Sequence, residues 1–317
     1  MILVVDVGTS STRAAVINGD AQITAEHRQP TLPDSPAPGL VEFDAAELAD
    51  VALALANAAA ADAGTVDAVG ITNQRGSTIV WDRATGDPVA PGIGWQDLRT
   101  VGRCLELGAQ GIRIAPNLSA TKLEHILDMV DPERTRDLCF GTVDSWIAWV
   151  LSDGAVHMTD GTNAAITGLR TGGNDAWSEP MLDLLRIPER MLPTVVDSSG
   201  VCGEARALAG APNIAGVLGD QQASLLGQGC VGQGDTKITF GTGGMLDMVV
   251  GREQPGTARG DSVTYPIVTR RLAGVDEWGV EGIILSAGTC VEWLRDDLGL
   301  IADAAESDAV AAACDDT

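Results

Sequence analysis

The chain of 317 residues is 45% hydrophobic, enough for two domains with sizeable cores and too apolar for a disordered segment. Its formal net charge of −24, from 20 basic against 44 acidic side chains with Lys122 and Lys237 the only lysines, argues against nucleic acid or an anionic membrane as partner, because an acidic surface repels phosphate. The apolar stretches are too short or too interrupted to cross a bilayer, the N terminus enters a strand without a basic signal peptide, and six cysteines lie scattered without CxxC spacing, so the expectation is a cytoplasmic protein with reduced, mostly buried thiols and no metal cluster.

Residues 2–17, ILVVDVGTSSTRAAVI, read as an apolar strand, an acid, a Gly-Thr-Ser-Ser-Thr-Arg turn and a second apolar strand. The tip of such a hairpin carries hydroxyls, backbone N–H groups and the cation of Arg13, which suits a polyphosphate; an ordinary solvent hairpin explains the same turn. Asp6, at the strand end, is placed to hold a hydrated Mg²⁺, which usually takes only one or two carboxylates. A third strand is predicted over residues 21–28, then a Pro-rich loop over 29–39. Asp44 reads as an N-cap, with Glu47 completing a capping box, for an alanine-rich helix to residue 62 that should pack closely on a sheet. Strands at 66–71 and 78–81 flank the polar loop Thr72-Asn73-Gln74-Arg75-Gly76-Ser77, the type of connection on which sites sit. Helices are predicted over 119–130, 143–151 and 177–186. Trp146 and Trp149 on the second of these read as core residues, and His125 on the first as packing. Residues 159–163, TDGTN, are rich in oxygen but lack the spacing of a calcium loop, so a structural Asx-type turn is expected.

The stretch from 214 to 245 repeats the opening arrangement. An apolar run over 214–218 delivers Asp220 to a strand end, and Gly241-Thr242-Gly243-Gly244 follows the strand over 236–240. Asp220 could take a proton from a hydroxyl that attacks a phosphate held by that glycine-rich turn; a helix N-cap followed by a tight hairpin is the plainer alternative. Two strand–Gly/Thr–strand units in one chain are what a two-lobed ATPase needs, one on each side of the nucleotide. Neither is a Walker loop, and neither is a GxGxxG turn opening a helix. Further strands are predicted over 245–250 and 262–269, with a short segment around 272–278 and a helix over 283–298.

In order along the chain, DVGTSSTR, GITNQRGSTIVWDRATGDPV, GWQDLRT, FGTVDSWIAWVL, MTDGTNA, GDQQASLLGQGC and FGTGGML resemble the FGGY family of carbohydrate kinases, most of all its glycerol kinases. The resemblance implies an α/β chain of the actin-like ATPase (ribonuclease H-like) fold, with a complete first lobe and a partial second lobe. It divides the chain into an N-terminal domain over 1–229 that binds substrate and phosphate and the start of a C-terminal nucleotide lobe over 230–317. The implied activity is ATP- and Mg²⁺-dependent phosphorylation of a polyol or sugar hydroxyl. Carried over residue by residue, Asp220 is the catalytic base, Asp6 the Mg²⁺ ligand, and Arg75, Trp95 and Gln221 contact the substrate. Gly8, Thr9, Ser10, Ser11 and Arg13, with Gly241, Thr242 and Gly243, face phosphates, and Gly288 lies near the nucleotide.

Three substrate positions depart from the glycerol kinases: Gly76 replaces a glutamate, Asn117 a tyrosine and Met245 a phenylalanine. The expected result is a pocket with less side-chain volume, suited to an acceptor larger than glycerol. His125 stands where a tryptophan is usual and Glu292 where a glutamine is common. The sequence stops at Asp315-Asp316-Thr317, before the family's adenine-binding glycine motif, which suggests a fragment or a truncated gene product and leaves open a non-catalytic or weakly active polyol-binding piece. Self-association into a homo-oligomer is left open as well.

Overall fold

The computed structural model describes residues 1–170, 176–241, 243–256, 264–284 and 286–314. By its internal contacts the chain divides into two compact units, Met1–Ser224 with Val268–Glu277, and Leu225–Ile267 with Trp278–Thr317.

The first unit opens with the meander β1 (Ile2–Val7), β2 (Ser11–Ile17) and β3 (Ile23–Pro30), followed by β4 (Glu42–Phe43), α1 (Ala45–Ala63), β5 (Ala68–Asn73), β6 (Ile79–Asp82) and β7 (Gly92–Ile93). Next come α2 (Val101–Ala109), α3 (Ala120–Val130), β8 (Leu138–Gly141), α4 (Val143–Leu151), β9 (Met158–Asp160), α5 (Gly161–Ala165) and α6 (Glu179–Leu184). The strands β10 (Thr194–Val196), β11 (Ser199–Glu204) and β12 (Asn213–Gly219) then lead into α7 (Asp220–Gly227). Six strands form the main sheet in the order β11-β12-β5-β1-β2-β3. The meander β1-β2-β3 is antiparallel and β11 pairs antiparallel with β12, whereas β1, β5 and β12 run parallel, as in a ribonuclease H-like sheet.

Alternation along β1 buries Leu3, Val5 and Val7 completely and leaves Asp6 on the other face. The small side chains Ala49, Ala52, Ala56 and Ala59 let α1 lie close against this sheet, and all four are buried with it in one core. The Asp44 carboxylate caps α1, accepting from the N–H groups of Ala46 at 2.9 Å and Glu47 at 3.0 Å. Trp146 and Trp149 of α4 pack on Trp81, with ring centroids 5.1 and 5.7 Å away, and the Trp146 indole N–H donates to the Ala45 carbonyl at 2.7 Å. A second apolar cluster joins Val80, Ile93, Leu107, Leu123, Phe140 and Leu182.

Beyond α7 lies a four-stranded sheet, β13 (Thr236–Phe240), β14 (Gly244–Gly251), β15 (Thr264–Leu272) and β16 (Val275–Ile284), in the order β13-β14-β16-β15, with α8 (Gly288–Asp296) and α9 (Glu306–Ala312); of these elements, only Val268–Glu277 is counted with the first unit.

Most predicted elements recur with shifted ends, and the shifts have local causes. The third strand starts at Ile23, later than predicted, because the Asn18 carboxamide accepts from the N–H groups of Asp20 and Gln22, both at 3.0 Å, and closes the turn before it. The helix predicted over 177–186 starts at Glu179, where Pro180 occupies its first turn after the N-cap Ser178. The helix predicted over 283–298 is the largest departure. Ile283 and Ile284 continue β16 by pairing with Met245 and Gly244, and α8 begins only at Gly288. An aliphatic run fits strand or helix equally, and here the open edge of β14 decides. Residues 262–263 of the strand predicted over 262–269 lie outside the described residues.

Trp146→Ala would remove a core ring and the N–H that ties α4 to the start of α1. Denaturant unfolding followed by circular dichroism should show a loss of about 3–5 kcal/mol.

Candidate functional site

The parallel strands β1, β5 and β12 end side by side, with Val7 paired to Asn73 and Asn73 to Gly219. The turn after β1, the loop after β5 and the first turn of α7 therefore leave the sheet from adjacent carboxyl ends, where open α/β sheets bind ligands. A buried polar lattice fixes these ends. Asn73 and Asn163 exchange amide hydrogen bonds of 2.9 and 3.3 Å, Asn163 donates to Asp160 at 3.0 Å, and Thr162 donates to Asp160 at 2.7 Å while accepting the Gly219 N–H at 2.9 Å. The expected Asx-type turn at residues 159–163 is thus an N-cap, with the Asp160 side chain accepting from the Asn163 N–H at 3.0 Å to start α5.

On the β1–β2 turn, the Gly8 N–H donates to the Ser11 carbonyl at 3.0 Å and brings Thr9 and Ser10 to the tip. Arg13 faces Asp6 across the hairpin and donates to its Oδ2 at 3.0 Å. Arg28, which the sequence reading did not single out, lies beside Arg13 on β3 and donates to the Ser11 hydroxyl at 3.1 Å, giving the turn a second cation. On the β5 side, Asp6 pairs with Thr72, whose buried hydroxyl has no hydrogen-bond partner.

The loop after β5 is tied to this turn by side chains. Gln74 donates to the Gly8 carbonyl at 3.3 Å, Ser77 donates to Gln74 Oε1 at 3.1 Å, and the Ser77 hydroxyl accepts the Trp95 N–H at 3.1 Å. The Trp95 indole donates to the Thr9 hydroxyl at 3.0 Å. Arg75 places Nε 3.8 Å from Asp220 Oδ1, and Asp220 accepts the Gln221 N–H at 2.8 Å on the first turn of α7. Gly219 makes room for this pair: a Cβ there would lie 2.6 Å from the Arg75 side chain.

Gly76 has φ +77°, and a Cβ on it would sit 2.5 Å from the Asn117 carbonyl oxygen. Its own carbonyl accepts from Ser119 and Lys122, both at 3.3 Å, and Lys122 also donates to the Asn117 carbonyl at 3.3 Å. Lys122 is fully buried, and burial pushes its ammonium down to about 7 against the opposing pull of Asp97. Asp97 is buried as well. Burial alone would raise it, but hydrogen bonds from Arg99 and from the Val41 and Arg99 N–H groups hold its carboxyl below the usual range. The sequence reading assigned no role to Lys122, Asp97 or Arg28; the one available signal was the scarcity of lysine.

In the second unit, Phe240 pairs with Gly244, the Gly241 N–H donates to the Gly243 carbonyl at 2.9 Å, and the Gly288 N–H, at the start of α8, donates to the Gly241 carbonyl at 2.8 Å. Met245 lies on β14 opposite Thr239. Thr242 lies outside the described residues. Among the described residues no group of three or more His, Cys, Asp and Glu side chains could hold a metal ion, and no helix is long and apolar enough to span a membrane.

Residues 1–227 match the N-terminal domain of the FGGY family of carbohydrate kinases. The chain belongs to that family. It is 42% identical to the glycerol kinase of Aromatoleum aromaticum, an alignment that covers 100% of this chain and 67% of that protein. It is 39% identical to the glycerol kinase of Shewanella piezotolerans, over 100% of this chain and 68% of the relative. In structure it is similar to Plasmodium falciparum glycerol kinase with ADP, with a TM-score of 0.90 at 25% identity over 99% of this chain and 67% of that one. The xylulose kinase of Rhodospirillum rubrum shares the fold, with a TM-score of 0.83 at 23% identity over 98% of this chain and 66% of that one. This FGGY kinase chain thus spans about two thirds of the length of these relatives, with the actin-like ATPase fold complete in its first lobe and partial in its second. It is a phosphotransferase that uses ATP and takes an alcohol hydroxyl of a polyol or sugar as acceptor.

The lattice behind the site carries a pH signature. Burial, and then the neighbouring Asp160, push Asp144 up to about 7 in spite of hydrogen bonds from Thr142 and Thr159. A carboxyl raised in the folded state favours folding while protonated, so its contribution is complete below about pH 4 and is lost as the pH rises through about 7. Asp144→Asn should flatten the fall in stability between pH 4 and 7, read from urea unfolding at a series of pH values.

Proposed function

We propose that Asp220 is the general base and that the first unit is the acceptor-binding and phosphoryl-transfer lobe of this kinase. The observation that carries the reading is the convergence of the Gly8 turn, the Arg75 loop and Asp220 at adjacent strand ends, with Arg75 reaching Asp220. In this reading Arg75, Trp95 and Gln221 hold the acceptor with one hydroxyl on Asp220. As that oxygen attacks the γ-phosphorus of ATP, its proton passes to the Asp220 carboxylate, the new O–P bond forms, and the bond to the β-phosphate oxygen breaks with its electron pair leaving on ADP. Arg75 offers a planar fork of donors suited to neighbouring hydroxyls, and the Trp95 ring suits the carbon skeleton of a polyol.

Gly8, Thr9, Ser10, Ser11 and Arg13 serve phosphate within the first unit, and the resemblance to the family gives Gly241, Thr242, Gly243 and Gly288 a nucleotide role within the second. The residues around Asp6 fit Mg²⁺: a single carboxylate, engaged by Arg13 through Oδ2 and lying beside the unpartnered Thr72 hydroxyl, suits an ion that keeps most of its water. Bound there, the ion would neutralise charge on the triphosphate. A division into a substrate lobe over 1–229 and a nucleotide lobe from 230 follows this assignment. A non-catalytic polyol-binding remnant is not favoured, because the relationship to kinases extends over the whole chain.

For the acceptor, the closest-packed position is informative. The reduced volume expected at Gly76 does not open there, since the Asn117 carbonyl occupies the place of a side chain. Within the first unit, room for an acceptor larger than glycerol is then left to the Asn117 side chain. Glycerol, the substrate named for the relatives, remains the second reading on the strength of Arg75, Trp95, Asp220 and Gln221.

Asp220→Asn keeps the shape of the carboxylate and cannot accept the proton, so kcat should fall by about 10²–10⁴ with polyol binding by calorimetry nearly unchanged; full turnover by the folded variant would refute the base assignment. Comparison of kcat/KM for glycerol, erythritol, ribitol and xylulose decides the acceptor, and a tenfold preference for glycerol would overturn the larger-acceptor reading. Gly76→Glu should lower the melting temperature without raising glycerol turnover, because the left-handed backbone alone costs about 1–3 kcal/mol.

A further inference from the structure

Lys122 holds together two stretches that meet in the first unit, and resting on the kinase reading above, we infer that it is a positioning residue for the acceptor site. Its Nζ lies 3.3 Å from both the Gly76 and the Asn117 carbonyl oxygens. These segments cross so tightly that Asn117 O falls 2.5 Å from where a Gly76 Cβ would be. Carbonyl dipoles pointed at one region repel each other, and one ammonium answers both. The Gly76 carbonyl also draws the hydroxyls of Ser119 at 3.3 Å and Thr78 at 3.4 Å, so a single loop oxygen collects three side-chain donors.

What this clamp fixes is the loop that carries the acceptor contacts. Arg75 precedes Gly76 directly and reaches Asp220, while Ser77 follows it and holds both Gln74 and the Trp95 N–H. Trp95 in turn holds Thr9 on the phosphate turn. A shift at Gly76 therefore moves Arg75 relative to the base and slackens Trp95 together. A space-filling role alone would favour an apolar side chain, since a fully buried lysine pays desolvation that a methionine does not. Lys122 touches no reacting atom; it acts through the loop.

The test is Lys122→Met, which keeps the length and removes the donors, with Ser119→Ala as a milder variant that weakens the same carbonyl without touching a buried charge. Both are made in the whole chain and checked for folding by circular dichroism. Hydrogen exchange without ligand reads the clamp: the Gln74 and Trp95 amides should exchange at least about tenfold faster in Lys122→Met, with the α4 amides unchanged. Kinetics with MgATP and the four-polyol panel read the consequence. A displacement near 1 Å costs up to about 10²-fold in rate, so kcat should fall about 10- to 100-fold and KM for the polyol should rise, with KM for ATP unchanged and Ser119→Ala intermediate. Unchanged exchange, or faster exchange with unaltered kcat and polyol KM, overturns the positioning role while leaving the kinase reading in place. If Lys122→Met does not fold, Ser119→Ala decides by the same two readouts. Absence of turnover in the parent chain across the panel overturns both the kinase reading and the positioning role.

Discussion

The mutual amide pairing of Asn73 and Asn163 holds the carboxyl end of β5 to α5, and the rest of the site is referred to it. Amide side chains in a dry interior are costly unless every donor and acceptor is answered, and a lattice that answers them admits one arrangement. Here the chain of bonds runs from Asn73 through Asn163 and Asp160 to Thr162, and from there to the Gly219 N–H beside Asp220. Ser198 extends it by donating to Asp160 at 2.7 Å while accepting the Arg271 N–H at 2.9 Å. Arg271 and Arg170 both pair with Asp276 at 2.9 Å, and Arg271 also lies 3.6 Å from Asp197, so two carboxylates face two guanidiniums behind the lattice.

Catalytic groups on loops need this kind of backing, because a loop has few bonds of its own to resist displacement. The loop over residues 73–77 is anchored at Asn73 by the lattice, at Gln74 by the Gly8 carbonyl and at Gly76 by Ser119 and Lys122. Arg75, between these anchors, is nearly buried and reaches Asp220. Asp220 enjoys similar support from the other side, between the lattice bond to Gly219 and the start of α7.

Features set by neighbours in the chain were legible in the sequence. Strand β13 and helix α4 fall at their predicted bounds, the Asp44 cap forms, and the polar residues following apolar strands do stand at adjacent sheet ends. Features set by distant packing were not. Lys122 meets Gly76 across 46 positions, and nothing in either local pattern announces the encounter. Nor does a missing side chain at Gly76 announce that another segment's backbone stands in its place. The split between β16 and α8 was hidden for a related reason, since only the partner strand β14 distinguishes a strand from a helix for residues 283 and 284. The motifs, which bundle many such long-range outcomes into a short string, gave the family more surely than they gave the contacts.

Gly219 bears on how such a site can diversify. A Cβ there would press on the Arg75 methylenes at 2.6 and 2.8 Å and on Gln222 at 2.7 Å, so any larger residue drives the guanidinium away from the carboxylate it attends. Substitution at this position is therefore constrained by the pair beside it. Variants that keep the arginine–aspartate pair are expected to keep this glycine, and laboratory evolution libraries are best spent at other positions.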